Sequence, residues 1–403
     1  MFCAVSPAGR SVAVPLHGGW IAGGAVPGVC APAGGKAMKT ALLILSTMTV
    51  ITPSTSGAEV ASRDWKLLAP LPDPVGFGGM FAGVLGGRLV AGGGSQFREK
   101  PVWLQGTKSY SDRIFTLSSP DAKWQVHAER LPEKNSHFAA AASSEAIYLV
   151  GGLNADGGQQ ACWELRARGD GFAFNRLPDL PSPLCYGAAA IVGGRLFVAG
   201  GQRQPTDKAA SAEAFSLELG APHVWRREPN LPGPGVFVAS AATEGSGFFL
   251  FGGMAFDAEG KFSPSSKGYR FDPAARRWEQ LPDLPEPRVG AATPCPVLPD
   301  GKIFLIGGYA AVFPGAPREH PGFSAQTLRY DVAQRRWENG PVLPRASVPD
   351  RDSPGDAGPG PMLAAPCALW ENLAVVVSGE VRASTRTPAV IAWPLAAGLD
   401  GAR

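Results

Sequence analysis

Short apolar runs recur along the chain at intervals of roughly fifty residues, a spacing that marks an internal repeat. They are Arg88-Leu89-Val90-Ala91, Ile147 to Val150, Arg195 to Ala199, Phe248 to Phe251, Ile303 to Ile306 and Leu373 to Val377. Each is short, apolar and bounded by glycine, which predicts buried strands. Five end in a glycine pair: Gly92-Gly93, Gly151-Gly152, Gly200-Gly201, Gly252-Gly253 and Gly307-Gly308. The sixth departs from the pattern. It ends in Ser378-Gly379, followed at once by the charged Glu380.

A second marker keeps step with the first: an aromatic residue followed by Leu-Pro. The set is Trp65 with Leu71-Pro72, Trp124 with Leu131-Pro132, Phe174 with Leu177-Pro178, Trp225 with Leu231-Pro232, Trp278 with Leu281-Pro282, and Trp337 with Leu343-Pro344. Between the markers lie further strand-like segments such as Gly268 to Asp272 and Leu328 to Asp331. Together these residues resemble kelch repeats, each a four-stranded blade. The resemblance implies an all-β chain folded as a six-bladed kelch-type β-propeller over residues 59–403. Tryptophans then fill the wedges between blades, and glycines allow close backbone approach. The repeats begin on a fourth-strand signature, Trp65 to Pro72, and end on a third-strand signature, Ala389 to Trp393. Pairing these two closes the ring and hides the open edge, so the N-terminal strand is expected to complete the last blade.

The first 58 residues do not fit the repeat. Met1 to Ala37 is rich in glycine, alanine and proline with no acidic residue, and reads as an over-called N-terminus. From Met38, a basic Lys39, an apolar Ala41 to Ile51 and the small Ser56-Gly57-Ala58 read as a secretory signal peptide. The apolar run falls short of the roughly 20 residues that span a bilayer. A mature chain from near Glu59, periplasmic or secreted, is the expectation, without stable membrane insertion. Residues 1–58 carry three of the 37 basic and none of the 34 acidic residues, which leaves 34 of each. A balanced chain offers no overall field for nucleic acid. Cys162, Cys185, Cys295 and Cys367 show no CxxC spacing, and buried free thiols are favoured over disulfides in a chain long enough to bury its own core.

In antiparallel blades the connections after strands two and four emerge on one face, so long ones there point to the working face. Three stand out: Ser95 to Tyr110, Tyr309 to Gln326 and Arg345 to Pro361, in neighbouring blades around Glu380. Gly379-Glu380 with Arg386-Thr387, supported by Ala91 to Gly94 and Lys108-Ser109-Tyr110, resembles a narrower group. It is the N-acetylneuraminate epimerase family of sialic acid mutarotases, in its cyclically permuted branch. The resemblance implies an isomerase that interconverts sugar anomers, with Glu380 and Arg386 as catalytic residues and no cofactor or metal. A carboxylate suits the acid–base work of ring opening, and an arginine suits the substrate's own carboxylate. From spacing alone, the two could equally be a salt-bridged pair that ties one loop.

Arg203, His137, Arg318 and His320 stand near glycine pairs, long loops or the start of an inner strand, and are expected as substrate-binding lining. No histidine pair has metal-ligand spacing, which disfavours a copper oxidase of the galactose oxidase type. A non-catalytic glycan- or protein-binding propeller is the alternative, because a fold does not fix a function.

Overall fold

The computed structural model describes residues 65–315, 319–320, 322–343 and 363–395. The expected leader, the Arg345 to Pro361 connection and Arg318 therefore lie outside the described residues. Apart from one 3-10 turn at Val102–Leu104, the described elements are strands. They form six antiparallel blades, as the repeats predict. Blade 1 carries Gly78–Leu85, Arg88–Gln96, Arg113–Leu117 and Gln125–Arg130 in that order across the sheet. Blades 2, 3 and 4 repeat the arrangement through residues 139–177, 188–228 and 240–280. In blade 5 the strands Lys302–Leu305, Gln326–Asp331 and Arg336–Val342 form the sheet, and Val297 joins its inner edge through an isolated bridge to Ile303.

Blade 6 is made from both ends of the described chain. Its strands Cys367–Trp370, Leu373–Arg382 and Thr385–Pro394 are completed by Lys66–Leu68, with Lys66 opposite Ala392 and Leu68 opposite Val390. The expected closure holds. Six apolar clusters fill the six wedges between neighbouring blades, such as Leu89, Phe115 and Val375 at the closing seam. Outer-strand tryptophans clip neighbouring blades together: the indole N–H of Trp225 donates to the Pro178 carbonyl, Trp278 to Pro229 and Trp337 to Pro282. Cys162, Cys185, Cys295 and Cys367 are buried free thiols, and burial pushes the first three up to about 12.

Two details of register differ from the sequence reading. In blade 1 the left-handed glycine pair is Gly93-Gly94, since these take φ of 66° and 95° as the other pairs do. In blades 2 and 4 the second Leu-Pro is the equivalent one: Leu180 and Leu284 donate their amides inward, as Leu71, Leu131 and Leu231 do. A Leu-Pro-Asp-Leu-Pro string offers both choices, and only pairing distinguishes them.

At the axis, each blade carries one residue in the left-handed conformation at or just before its inner strand. These are Gly79, His137, Tyr186, Val238, Gly290 and Ala364. Their backbones form a closed circuit: the amide of each donates to the carbonyl of its counterpart in the preceding blade, ending with Gly79 N–H to Ala364 at 2.7 Å. All six amides and carbonyls at this constriction are thereby satisfied.

Candidate active site

The residue just before each member of that circuit pairs with the residue just after a glycine pair. Gly78 pairs with Ser95, Ser136 with Leu153, Cys185 with Gln202, Phe237 with Met254, Val289 with Tyr309 and Leu363 with Glu380. Glu380 thus occupies a position that recurs in every blade, next to the axis. Only there can residues from several blades touch, and Leu153, Tyr186, Phe237, Met254 and Val289 from blades 2 to 5 form one apolar cluster.

The stretch expected as a second-to-third-strand loop is instead an extended hairpin. Its strands continue to Arg382 and resume at Thr385, so Glu380 and Arg386 face each other as a cross-strand pair. Two register shifts bend this arm. At the first, Ser378 takes φ 56°, the conformation its glycine counterparts hold. Its hydroxyl offsets that strain by accepting from Phe77 N–H at 2.8 Å and lying 2.6 Å from the Thr387 carbonyl.

Arg386 Nη1 lies 2.5 Å from Glu380 Oε1, with both side chains buried. The contact is an ion pair without hydrogen-bond alignment, and Nη1 has no aligned hydrogen-bond partner. Arg386 Nε donates to the Ser95 carbonyl at 3.1 Å, and its guanidinium lies over the Phe97 ring. Glu380 Oε2 accepts from the Ser384 amide at 2.9 Å. Sequence spacing leaves open whether this pair merely ties a loop. The structure buries it at the axis, in the position where blade 4 carries Met254.

His137 and His320 come to the same end of the axis. His137 is buried edge-on to Tyr186, 4.8 Å between rings. Burial holds its imidazole well below the usual histidine range, and the charges of Lys108 and Arg386 add to this. His320 packs between Phe313 and Phe323, and Phe323 stacks on Tyr309. Burial lowers its pKa, with Arg382 acting in the same direction. Arg203 turns elsewhere: its side chain is 62% exposed and pairs with Glu213, as expected for an arginine that follows the pairing position and points to solvent.

Three phenols and a glycine pair join this site; of these, the sequence reading uses only Tyr110, in the Lys108-Ser109-Tyr110 motif. Burial pushes Tyr110 up to about 12 against the opposing charge of Arg386, and raises Tyr186 and Tyr309, whose neighbour Glu380 adds to the effect. All three remain protonated at neutral pH. Tyr309 had a signal, since it follows Gly307-Gly308 as Glu380 follows Ser378-Gly379. Gly78 and Gly79 make room: a Cβ on the first would come within 2.7 Å of Arg386 Nε, and on the second within 2.7 Å of the His137 ring. Among the described residues no group of three or more histidine, cysteine, aspartate or glutamate side chains could hold a metal ion.

The chain matches no family model. It is 25% identical over 236 residues to the N-acetylneuraminate epimerase of Pasteurella multocida, covering 52% of this chain and 57% of that protein. The N-acetylneuraminate epimerase of Brucella melitensis is 26% identical over 251 residues, 54% of this chain and 58% of its own length. Kelch-like protein 34 of Homo sapiens is 27% identical over 310 residues, 73% of this chain and 44% of that protein. Beta-scruin of Limulus polyphemus is 30% identical over 193 residues, 46% of this chain and 20% of its length. The chain thus spans less than two thirds of each of these relatives. The blade repeats make the chain a six-bladed propeller of kelch type, distantly similar over about half its length to N-acetylneuraminate epimerases and to kelch-like proteins.

Proposed function

We propose that the protein is a sugar mutarotase, interconverting the α and β anomers of N-acetylneuraminate or a related acidic sugar by acid–base ring opening. The observation that carries this reading is the buried Glu380–Arg386 pair at the axial end of blade 6. Anomer exchange removes the proton of the anomeric hydroxyl, protonates the ring oxygen, and reverses both steps on the other face of the ketone. Glu380 is the proton shuttle: one of its oxygens is held by the Ser384 amide, and the other pairs with the guanidinium. Arg386 is the clamp for the sugar's carboxylate. Its Nε is fixed by Ser95, and its remaining N–H groups suit an oxyanion pair. The kelch-like and scruin likenesses fit a second reading, a propeller that binds a glycan or protein without chemistry.

Proton NMR of anomer exchange separates the two. Glu380→Gln should slow enzyme-dependent exchange by about 10²- to 10⁴-fold, the usual contribution of a positioned acid–base group. Exchange that matches wild type would remove Glu380 from the reaction, and a wild-type protein that binds the sugar without accelerating exchange would favour the binding reading. A related measurement bears on export. Mass spectrometry of the protein from its native host should find a mature chain that begins near Glu59.

A further inference from the structure

Gly78 and Gly79 lie beneath two different side chains, the Arg386 guanidinium and the His137 imidazole. His137 holds a left-handed φ of 51° in the axial circuit, where two of the six positions are glycine. Its ring is fixed as well as placed. Ser136 Oγ donates to the Leu153 carbonyl at 3.1 Å, which uses its one hydrogen. The same oxygen lies 2.8 Å from His137 Nδ1, so there it accepts and Nδ1 carries the hydrogen. In a neutral imidazole the other nitrogen, Nε2, is then an acceptor. Among the described residues Nε2 makes no hydrogen bond.

The surroundings act in the same sense. Lys108 and Arg386 both oppose a positive charge on the ring, and Tyr186 meets it edge-on. The other side chains gathered here mostly carry hydrogens: the phenols of Tyr110, Tyr186 and Tyr309, and the cations of Lys108 and Arg386. Among the described residues gathered here, the Glu380 carboxylate and His137 Nε2 are acceptors without a hydrogen of their own.

We propose that His137 is a neutral imidazole of fixed tautomer whose Nε2 accepts a hydrogen bond from a ligand hydroxyl, so that the site selects ligands with a hydroxyl donor close to the anionic group held by Arg386. The ligand's identity rests on the mutarotase reading; the state of the ring does not.

Long-range ¹⁵N–¹H NMR of the full chain with labelled histidine tests the ring directly, and His137→Asn assigns its signals. The expected result is a protonated Nδ1 and an unprotonated Nε2, unchanged from about pH 8 down to about pH 5. A hydrogen on Nε2, or conversion to imidazolium with a midpoint near the ordinary value of about 6.5, overturns the proposal.

The second arm uses N-acetylneuraminate. Asparagine tolerates the left-handed backbone and can keep the Ser136 contact, but it removes Nε2. His137→Asn should therefore lower exchange or affinity about tenfold or more with an unchanged melting temperature. His137→Gln, whose amide reaches toward the place of Nε2, should recover part of the loss. Wild-type exchange and affinity in His137→Asn would overturn the ligand contact. A wild-type chain that neither binds nor turns over this sugar would sink the function proposed above, while the NMR arm would still decide the state of the ring.

Discussion

Blade 4 and blade 6 share a backbone solution and differ in chemistry. In blade 4, Gly252 and Gly253, at φ 63° and 87°, lead to Met254, which bridges to Phe237 and takes the Tyr309 hydroxyl at its sulfur. In blade 6, Ser378 and Gly379, at φ 56° and 122°, lead to Glu380, which bridges to Leu363 and pairs with Arg386. Met254 stands opposite Pro264 in a hairpin that continues to Phe256 opposite Phe262, whereas blade 6 sets Glu380 opposite Arg386 and then Arg382 opposite Thr385. The frame is repeated, and the candidate site is a local exchange of side chains on it. The exchange is supported from outside the blade: Phe77, Ser95 and Phe97 of the neighbouring region hold Ser378 and Arg386.

The largest effect should come from breaking the charge pair. Arg386→Met leaves the buried Glu380 carboxylate alone and should cost about 3–5 kcal/mol in urea unfolding, the usual penalty for removing one member of a buried pair. Adding Glu380→Met makes blade 6 chemically like blade 4, and should restore most of that stability while leaving no enzyme-dependent anomer exchange. Equal destabilisation of the single and double variants would mean that the two blades are not interchangeable frames.

A smaller effect should follow from Asp73. Its buried carboxylate caps the turn at Val75 and Gly76, and pairs with Arg98 at 2.5 Å and Arg113 at 3.1 Å. Asp73→Ala should destabilise by about 2–3 kcal/mol, as for loss of charged hydrogen bonds. It should also weaken sugar binding, because Arg98 stands beside the Phe97 that carries the Arg386 guanidinium. Unchanged binding would show that Ser95 and Phe97 stay in place without this anchor.

The smallest effect is a pH dependence. His137 in the folded chain has a depressed pKa, so both states are neutral above about pH 6.5 and the group contributes no slope there. As pH falls below that value the unfolded chain takes up a proton that the folded chain refuses, and stability is lost by up to about 1.4 kcal/mol per pH unit. His137→Asn should remove this part of the acid slope. A slope unchanged by the substitution would assign it to other groups.

The sequence made the frame legible because its signals are local and repeated. Apolar runs that stop at glycine, and tryptophans before Leu-Pro, report blade number and closure without any knowledge of pairing. Glu380 and Arg386 stood out for the same reason, as a break in a repeat. Tyr186 and Gly79 did not, because their role comes from their place in a circuit through all six blades, and nothing near them in the chain marks it. Arg203 shows the converse. It stands two places after a glycine pair where the site residues stand directly after theirs, and that one step turns it to solvent and Glu213. Ser378 to Thr387 follows the second strand of the last blade, which predicts a connecting loop, whereas the pairing of Gly379 with Thr387 and of Glu380 with Arg386 keeps it a hairpin.

The circuit of axial amides also has a consequence in time. Five of its hydrogen bonds join blades that follow one another in the chain, and can form as synthesis proceeds. The sixth, from Gly79 to Ala364, joins the first blade to the last and must wait until almost the whole chain is available. It crosses the same seam that Lys66–Leu68 closes at the outer edge. The Gly79 amide is thus a clock for completion of the ring: protected from hydrogen exchange only after the last blade docks, and among the first at the axis to exchange when the seam opens.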